Sequence, residues 1–336
     1  MNSPYLYRGV VYTNSRGYTL PQQLHLIETI GKHQSNIYLW TKLSTKSCSA
    51  YLPTFPDILT SEIKEEFSRL QEQSVKSHVH LWVGFKPGHK KFCSNYSDRK
   101  KLIKKAIYFT QHGADGIYLA MDDTHPKQKV MGEDGIYHGL LIKELYAEIG
   151  EKFKGICGEE YHGRTIRHPR YWDPIFKSLP KKALITWTGA GIWNRTIDQS
   201  HFPALDWPLL LWDNYFASDS TKPEKAPTYP YRALDSSLES KINGVLINPN
   251  PNYPWQLCAL YTSLDFLANP STYHAQKSVQ KLLTSIKSSL SLDNSHFESS
   301  LREVLEETEH ALSLSSGKNL KQNIPFRNAL LHLGEI

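Results

Sequence analysis

Residues 116–123 read Gly-Ile-Tyr-Leu-Ala-Met-Asp-Asp: an unbroken apolar run, Ile117 to Met121, opened by a glycine and closed by two carboxylates. The run is too short for a buried helix, and it does not alternate polar with apolar. That pattern predicts a strand covered on both faces, as in a parallel sheet packed between layers. Its flanks agree. Upstream, Leu102, Ile103, Ala106, Ile107 and Thr110 fall on one helical stripe between Ser97 and His112, with Gly113 as the stop. Downstream, Ile136, Leu140, Leu141 and Leu145 make another stripe, ended by Gly150. A buried strand between two amphipathic helices is the repeating unit of an α/β protein.

Seven further short apolar and aromatic runs lie along the chain, several of them nearly continuous. Together the eight are Tyr7–Thr13, Asn36–Lys42, Val79–Phe85, Gly116–Asp122, Phe153–Gly158, Ala183–Thr188, Pro208–Asp213 and Gly244–Asn248. Another helical stripe, Ile63, Phe67 and Leu70, follows the capping candidates Thr60 and Ser61. Eight strand-then-helix units predict a closed (β/α)8 TIM barrel. The competing fold, a doubly wound sheet, lacks its marker: no glycine-rich loop suits a dinucleotide, and no lysine motif suits a phosphate. Residues 218–231 read as a long surface loop rich in Pro, Ser and Lys. Near the end, Tyr273, Val279, Leu282, Ile286 and Leu290 form one amphipathic stripe, and Leu301, Val304, Leu305, Thr308 and Leu312 a second with an acidic polar side. The expected organisation is a catalytic barrel over residues 1–290 and a short C-terminal helical extension over residues 291–336.

Composition narrows the function classes. The 336 residues are 40% hydrophobic, enough for a large core, and carry a formal charge of +6 that is scattered rather than blocked. Runs such as Lys100–Lys101 with Lys104–Lys105 fall on a helix and read as a solvated face, so no nucleic-acid partner is expected. Met1 to Tyr12 carry no basic region followed by an apolar core and cleavage site, and no run reaches membrane-spanning length. The expectation is a cytoplasmic protein with no membrane partner. Cys48, Cys93, Cys157 and Cys258 are far apart, without the spacing of a disulfide framework or zinc site. His125 beside the carboxylates completes no ligand set, so neither metal nor other cofactor is expected.

The polar residues concentrate at strand ends: Thr41–Lys42, Asp122–Asp123, Glu159–Glu160–Tyr161, Thr186–Trp187–Thr188, Trp212–Asp213–Asn214 and Asn248. In a barrel these ends meet on the face where active sites are built. Two neighbouring carboxylates after an apolar run are costly to desolvate, and like charges in a small space raise one pKa, which makes a proton donor near neutrality. Adjacent strand residues face opposite ways, so both reach a pocket only if the chain turns at Asp122. A helix cap with a loop carboxylate is the plain alternative. Lys42 either snorkels to solvent or binds a substrate hydroxyl. Cys157, inside the fifth strand, reads as buried filler.

These residues together resemble glycoside hydrolase family 84, the β-N-acetylglucosaminidases that include the protein O-GlcNAcases. The resemblance runs from about Tyr7 to Leu283. It is carried by Trp212-Asp213-Asn214-Tyr215 with Asp219, by Thr186-Trp187-Thr188-Gly189, by Asp122-Asp123, and by Gly244-Val245-Leu246-Ile247-Asn248-Pro249 followed by Leu260-Tyr261-Thr262. It implies a retaining exo-hexosaminidase in which the substrate's 2-acetamido oxygen attacks the anomeric carbon. By the same resemblance Asp122 polarises the acetamido N–H, and Asp123 protonates the leaving oxygen and then activates water. Tyr161 would bond the acetamido group, and Lys42, Asp219 and the Gly9 backbone would grip sugar hydroxyls. Asn214 and Asn248 would line the pocket and Trp212 would stack beneath the sugar or its methyl. The implied partner is a β-linked N-acetylglucosamine glycan or glycoprotein, met by a monomer or weak homodimer.

One departure stands out: the family's Glu-Gly-Phe-Tyr-Gly run after the first strand is replaced here by Gly9-Val10-Val11-Tyr12-Thr13-Asn14-Ser15-Arg16-Gly17-Tyr18. A rebuilt first loop keeps two alternatives open, a non-catalytic glycan-binding protein with a retained pocket and an endo-acting hexosaminidase on a polysaccharide.

Overall fold

A computed structural model describes residues 3–13, 16–43, 59–87, 93–122, 132–217, 230–251 and 253–290. Eight parallel strands close into a barrel: β1 (Tyr7–Thr13), β2 (Ile37–Leu43), β3 (His80–Phe85), β4 (Gly116–Ala120), β5 (Phe153–Cys157), β6 (Leu184–Trp187), β7 (Leu209–Asp213) and β8 (Gly244–Ile247). Each pairs with its sequence neighbour, and β1 pairs with β8 through Gly9↔Leu246 and Val10↔Ile247. The expected (β/α)8 TIM barrel is the observed fold, and each strand lies within a residue or two of its expected range.

The unbroken apolar runs now have their cause. In β4, Ile117 and Leu119 face the helices, whereas Tyr118 and Ala120 face the lumen. The lumen is filled by Val11, Ile37, Leu39, Trp82, Tyr118, Ala120, Cys157, Leu184, Leu210 and Leu246. Cys157 is thus buried filler, as its place in a strand suggested. Beyond their first residues both faces of the strands are largely buried, which disfavours charged groups until the strand ends.

Among the described residues, α-helices follow the first five strands and the last: α1 (Leu20–Lys32), α2 (Ser61–Lys76), α3 (Tyr96–Gln111), α4 (Gly132–Ile149), α5 (Pro169–Ser178), and then α6 (Tyr253–Ala268) with α7 (Ala275–Leu290) packed on it. Thr60 caps α2 by accepting from the Ile63 N–H, and Asn95 caps α3 through Ser97 and Asp98. Gly113 and Gly150 stop α3 and α4 in the left-handed region, at φ 104° and 52°. The eight strands do not all carry an α-helix. Among the described residues, β6 and β7 are followed by short 3-10 turns, Gln199–His201 and Ser236–Ser240.

Two sequence expectations need correction. The buried face of α4 is not Ile136 and Leu140, which are 55% and 37% exposed. It is Gly135, His138, Gly139, Leu141, Ile142 and Leu145, because the two glycines let α4 lie directly on the backbone of α5. Tyr231, expected at the end of a surface loop, is fully buried between Phe216 and Phe266. The second C-terminal stripe, and the whole of residues 291–336, lies outside the described residues.

Candidate active site

Strand parity selects which polar ends enter the barrel mouth. Backbone pairing with β5 continues past β4, since the Met121 N–H donates to the Cys157 carbonyl at 2.8 Å. Tyr118 and Ala120 face the lumen, so Asp122 occupies the next inward position above them. Its Oδ2 accepts from the Lys86 ammonium at 3.3 Å, and that lysine leaves the end of β3. Its Oδ1 is buried with no hydrogen-bond partner among the described residues. A desolvated carboxylate oxygen without a donor is costly, so this atom is built to receive one.

The floor beneath Asp122 is aromatic and dry. The Tyr118 hydroxyl meets the Thr186 hydroxyl at the end of β6, and its ring lies 6.5 Å from the Trp212 ring. Burial lifts the Tyr118 pKa well above its ordinary value, with Cys157 and Asp122 adding to the rise, so the phenol stays neutral. Tyr161 and Trp212, both partly buried, pack on the lumen cluster from above. Tyr161 is held by its own backbone: its carbonyl accepts from the Thr188 N–H at 2.8 Å and from the Thr188 hydroxyl. The loop after β6 is itself tied down by Asn194, whose amide bonds Thr188 and Gly191.

On the opposite side, three side chains from distant parts of the chain form a line. Arg16 Nη2 donates to Asn248 Oδ1 at 3.0 Å. Asn248 Nδ2 donates to Asn214 Oδ1 at 2.8 Å, and Asn214 Nδ2 donates to the Ile192 carbonyl at 3.0 Å. All three are buried.

Not every polar strand end turns inward, and this corrects the expectation that all converge on one pocket. Asp213 follows Trp212 and therefore faces the helices. It is gripped there by Arg232 through both oxygens, at 3.0 and 3.2 Å, and by the Tyr231 hydroxyl. The Arg232 guanidinium also stacks over Tyr215 at 4.1 Å. Glu160 is likewise outward and fully buried, accepting from the Arg167 and His168 backbone N–H groups, Arg167 Nε and Trp172 Nε1. With each oxygen engaged, these two carboxylates lock loops in place and have no role at the mouth.

The structure therefore brings Asp122, Tyr161, Trp212, Asn214 and Asn248 to one mouth. Asp123 and Asp219 lie outside the described residues, as does the side chain of Lys42. The Lys42 backbone sits in β2 where the register against β3 shifts between Trp40 and Leu43. Gly9 is not at the mouth. It pairs with Ile37 in the buried first half of β1, whereas Thr13, paired with Thr41, marks the rim. A Cβ at position 9 would run into the Ile37 carbonyl, so close strand packing accounts for this glycine. Sequence reasoning missed Lys86 and Arg16. The signal for Lys86 was its place directly after the apolar run ending at Phe85; for Arg16 it was a lone arginine in the rebuilt first loop.

Comparisons with known proteins fit this architecture. A family model described as beta-N-acetylglucosaminidase matches residues 17–303. Protein O-GlcNAcase of Rattus norvegicus is 21% identical over 261 residues, 74% of this chain and 28% of that protein. Its Mus musculus counterpart is 21% identical over 262 residues, with the same two shares. The chain thus spans little more than a quarter of the length of these curated relatives. A mutant O-GlcNAc hydrolase of Thermobaculum terrenum superposes with a TM-score of 0.73 at 18% identity, over 98% of this chain and 76% of that one. CpGH84B follows at 0.69 and 17%, over 99% and 67%. At these identities the two structures bear on the fold alone.

Proposed function

The chain belongs to the beta-N-acetylglucosaminidase family, and from that premise we propose that it is a retaining exo-β-N-acetylglucosaminidase whose nucleophile is the substrate's own acetamido oxygen. The observation that carries this reading is Asp122. One of its oxygens is held by Lys86 and the other is buried without a donor among the described residues, at the barrel mouth. An acetamido N–H is such a donor. Accepting it orients the acetamido carbonyl beneath the anomeric carbon and stabilises the positive charge that spreads onto nitrogen as the oxazoline ring forms.

In the first step the carbonyl oxygen bonds to the anomeric carbon, the glycosidic bond breaks, and Asp123 gives its proton to the departing oxygen. In the second, Asp123 takes a proton from water as that water opens the oxazoline ring, which regenerates the acetamido group with the original configuration. Tyr161 bonds the acetamido group, Trp212 covers the apolar sugar face, and Asn214, Asn248, Lys42 and Asp219 hold hydroxyls. Ordinary retaining and inverting enzymes set two carboxyl groups about 5 to 9 Å apart across the ring. Sequence neighbours are poorly placed for that, whereas neighbouring-group attack asks for no carboxylate at the anomeric carbon. The substrate is a terminal β-linked N-acetylglucosamine on a glycan or a protein.

Purified protein should release the phenol from an aryl β-N-acetylglucosaminide. Asp123→Asn should slow that release by about 10²–10⁴-fold for leaving groups that need protonation. No release by the unaltered protein anywhere between about pH 4 and 8 would end the proposal.

A further inference from the structure

The line of hydrogen bonds from Arg16 to Ile192 has ends of opposite kind. A guanidinium only donates, and a backbone carbonyl only accepts. Between them, the amides of Asn248 and Asn214 satisfy both ends in a single arrangement, each passing one N–H forward and accepting on its oxygen. We propose that Arg16 is a positioning residue that fixes the pattern of donors and acceptors which the pocket shows to the sugar hydroxyls. This rests on the reading above, in which Asn214 and Asn248 face the sugar.

Each asparagine amide has two N–H groups and an oxygen with two lone pairs. The line uses one N–H and one lone pair of each. One N–H and one lone pair per amide remain, so the pair offers two donors and two acceptors at set positions. A sugar epimer with a hydroxyl on the wrong side then meets a misplaced partner, and a buried polar group left unpaired discriminates strongly. Removing the Arg16 donor frees Asn248 Oδ1. The Ile192 end still holds Asn214, but Asn248 keeps one anchor instead of two. The contact links residues 232 positions apart, joining the rebuilt first loop to the end of β8, and Arg16 is buried while it makes it. This gives the departing first loop a defined part in sugar recognition.

The test compares Arg16→Met and Arg16→Lys, which are similar in length but differ in carrying a donor. Substrates are the aryl β-glycosides of N-acetylglucosamine, its 4-epimer, and its 3-deoxy and 6-deoxy forms. Arg16→Met should raise KM for the parent glycoside about tenfold, leave kcat within about threefold, and cut discrimination against at least one altered sugar about tenfold. Arg16→Lys should restore most of that discrimination. Unchanged discrimination in Arg16→Met, or equal behaviour of the two variants, would overturn the proposal and leave Arg16 a packing residue. If the unaltered protein turns over no substrate, calorimetric binding of a GlcNAc-derived thiazoline and its 4-epimer carries the same comparison, which separates this proposal from the catalytic one.

Discussion

Asp122 and Lys86 meet at 3.3 Å while the second Asp122 oxygen has no donor among the described residues, so the lysine does more than neutralise charge. By engaging Oδ2 it sets the rotation of the carboxylate and therefore the direction of Oδ1. Lys86→Met should lower kcat/KM on an aryl β-N-acetylglucosaminide about tenfold, while Arg at this position, which keeps a donor and a charge, should stay within about threefold. Steady-state kinetics on the three proteins checks this. Asp122 was legible from the sequence because a carboxylate after a dry strand has few explanations. Lys86 was not, since Lys86-Pro87 reads as an ordinary strand exit and only the fold sets it opposite Asp122. Arg16 was hidden by distance along the chain. Gly9 was ambiguous, because a glycine pressed against the neighbouring strand resembles, in sequence, one that approaches a ligand.

At the scale of elements, periodicity located the strands and most helices but misread one face. On α4 the apolar count favoured Ile136 and Leu140, yet the contact with α5 is made where side chains are smallest. A Cβ on Gly135 would stand 2.0 Å from the Tyr171 carbonyl, and one on Gly139 would stand 2.7 Å from that of Pro174. Backbone cannot yield as a flexible side chain does, so α4 would have to move. Gly135→Ala should therefore destabilise the protein by about 1–3 kcal/mol despite alanine's better helix propensity. Ile136→Ala, on the exposed side, should stay within about 0.5 kcal/mol. Urea denaturation of both variants measures the contrast. A reading based on apolar spacing alone predicts the reverse order.

For the whole molecule, barrel closure converts strand parity into function. Inward positions at the strand ends carry Asp122, Trp212, Asn214 and Asn248, while the outward Asp213 and Glu160 are consumed by Arg232, Tyr231, Arg167 and Trp172. The fold class was legible because eight short, mostly apolar runs separated by helical or loop-like stretches have few other homes. The division of the polar ends into pocket and lock was not, because it depends on a register that a single residue shifts. If the substrate supplies its own nucleophile, its reactivity must follow the electron density on the acetamido oxygen. The most direct measurement is kcat/KM for aryl β-glucosaminides bearing acetyl, fluoroacetyl, difluoroacetyl and trifluoroacetyl groups on nitrogen. Neighbouring-group attack predicts a steady fall along the series, about tenfold or more in total. Equal rates across the four substrates would contradict it and return the attack to an enzyme carboxylate.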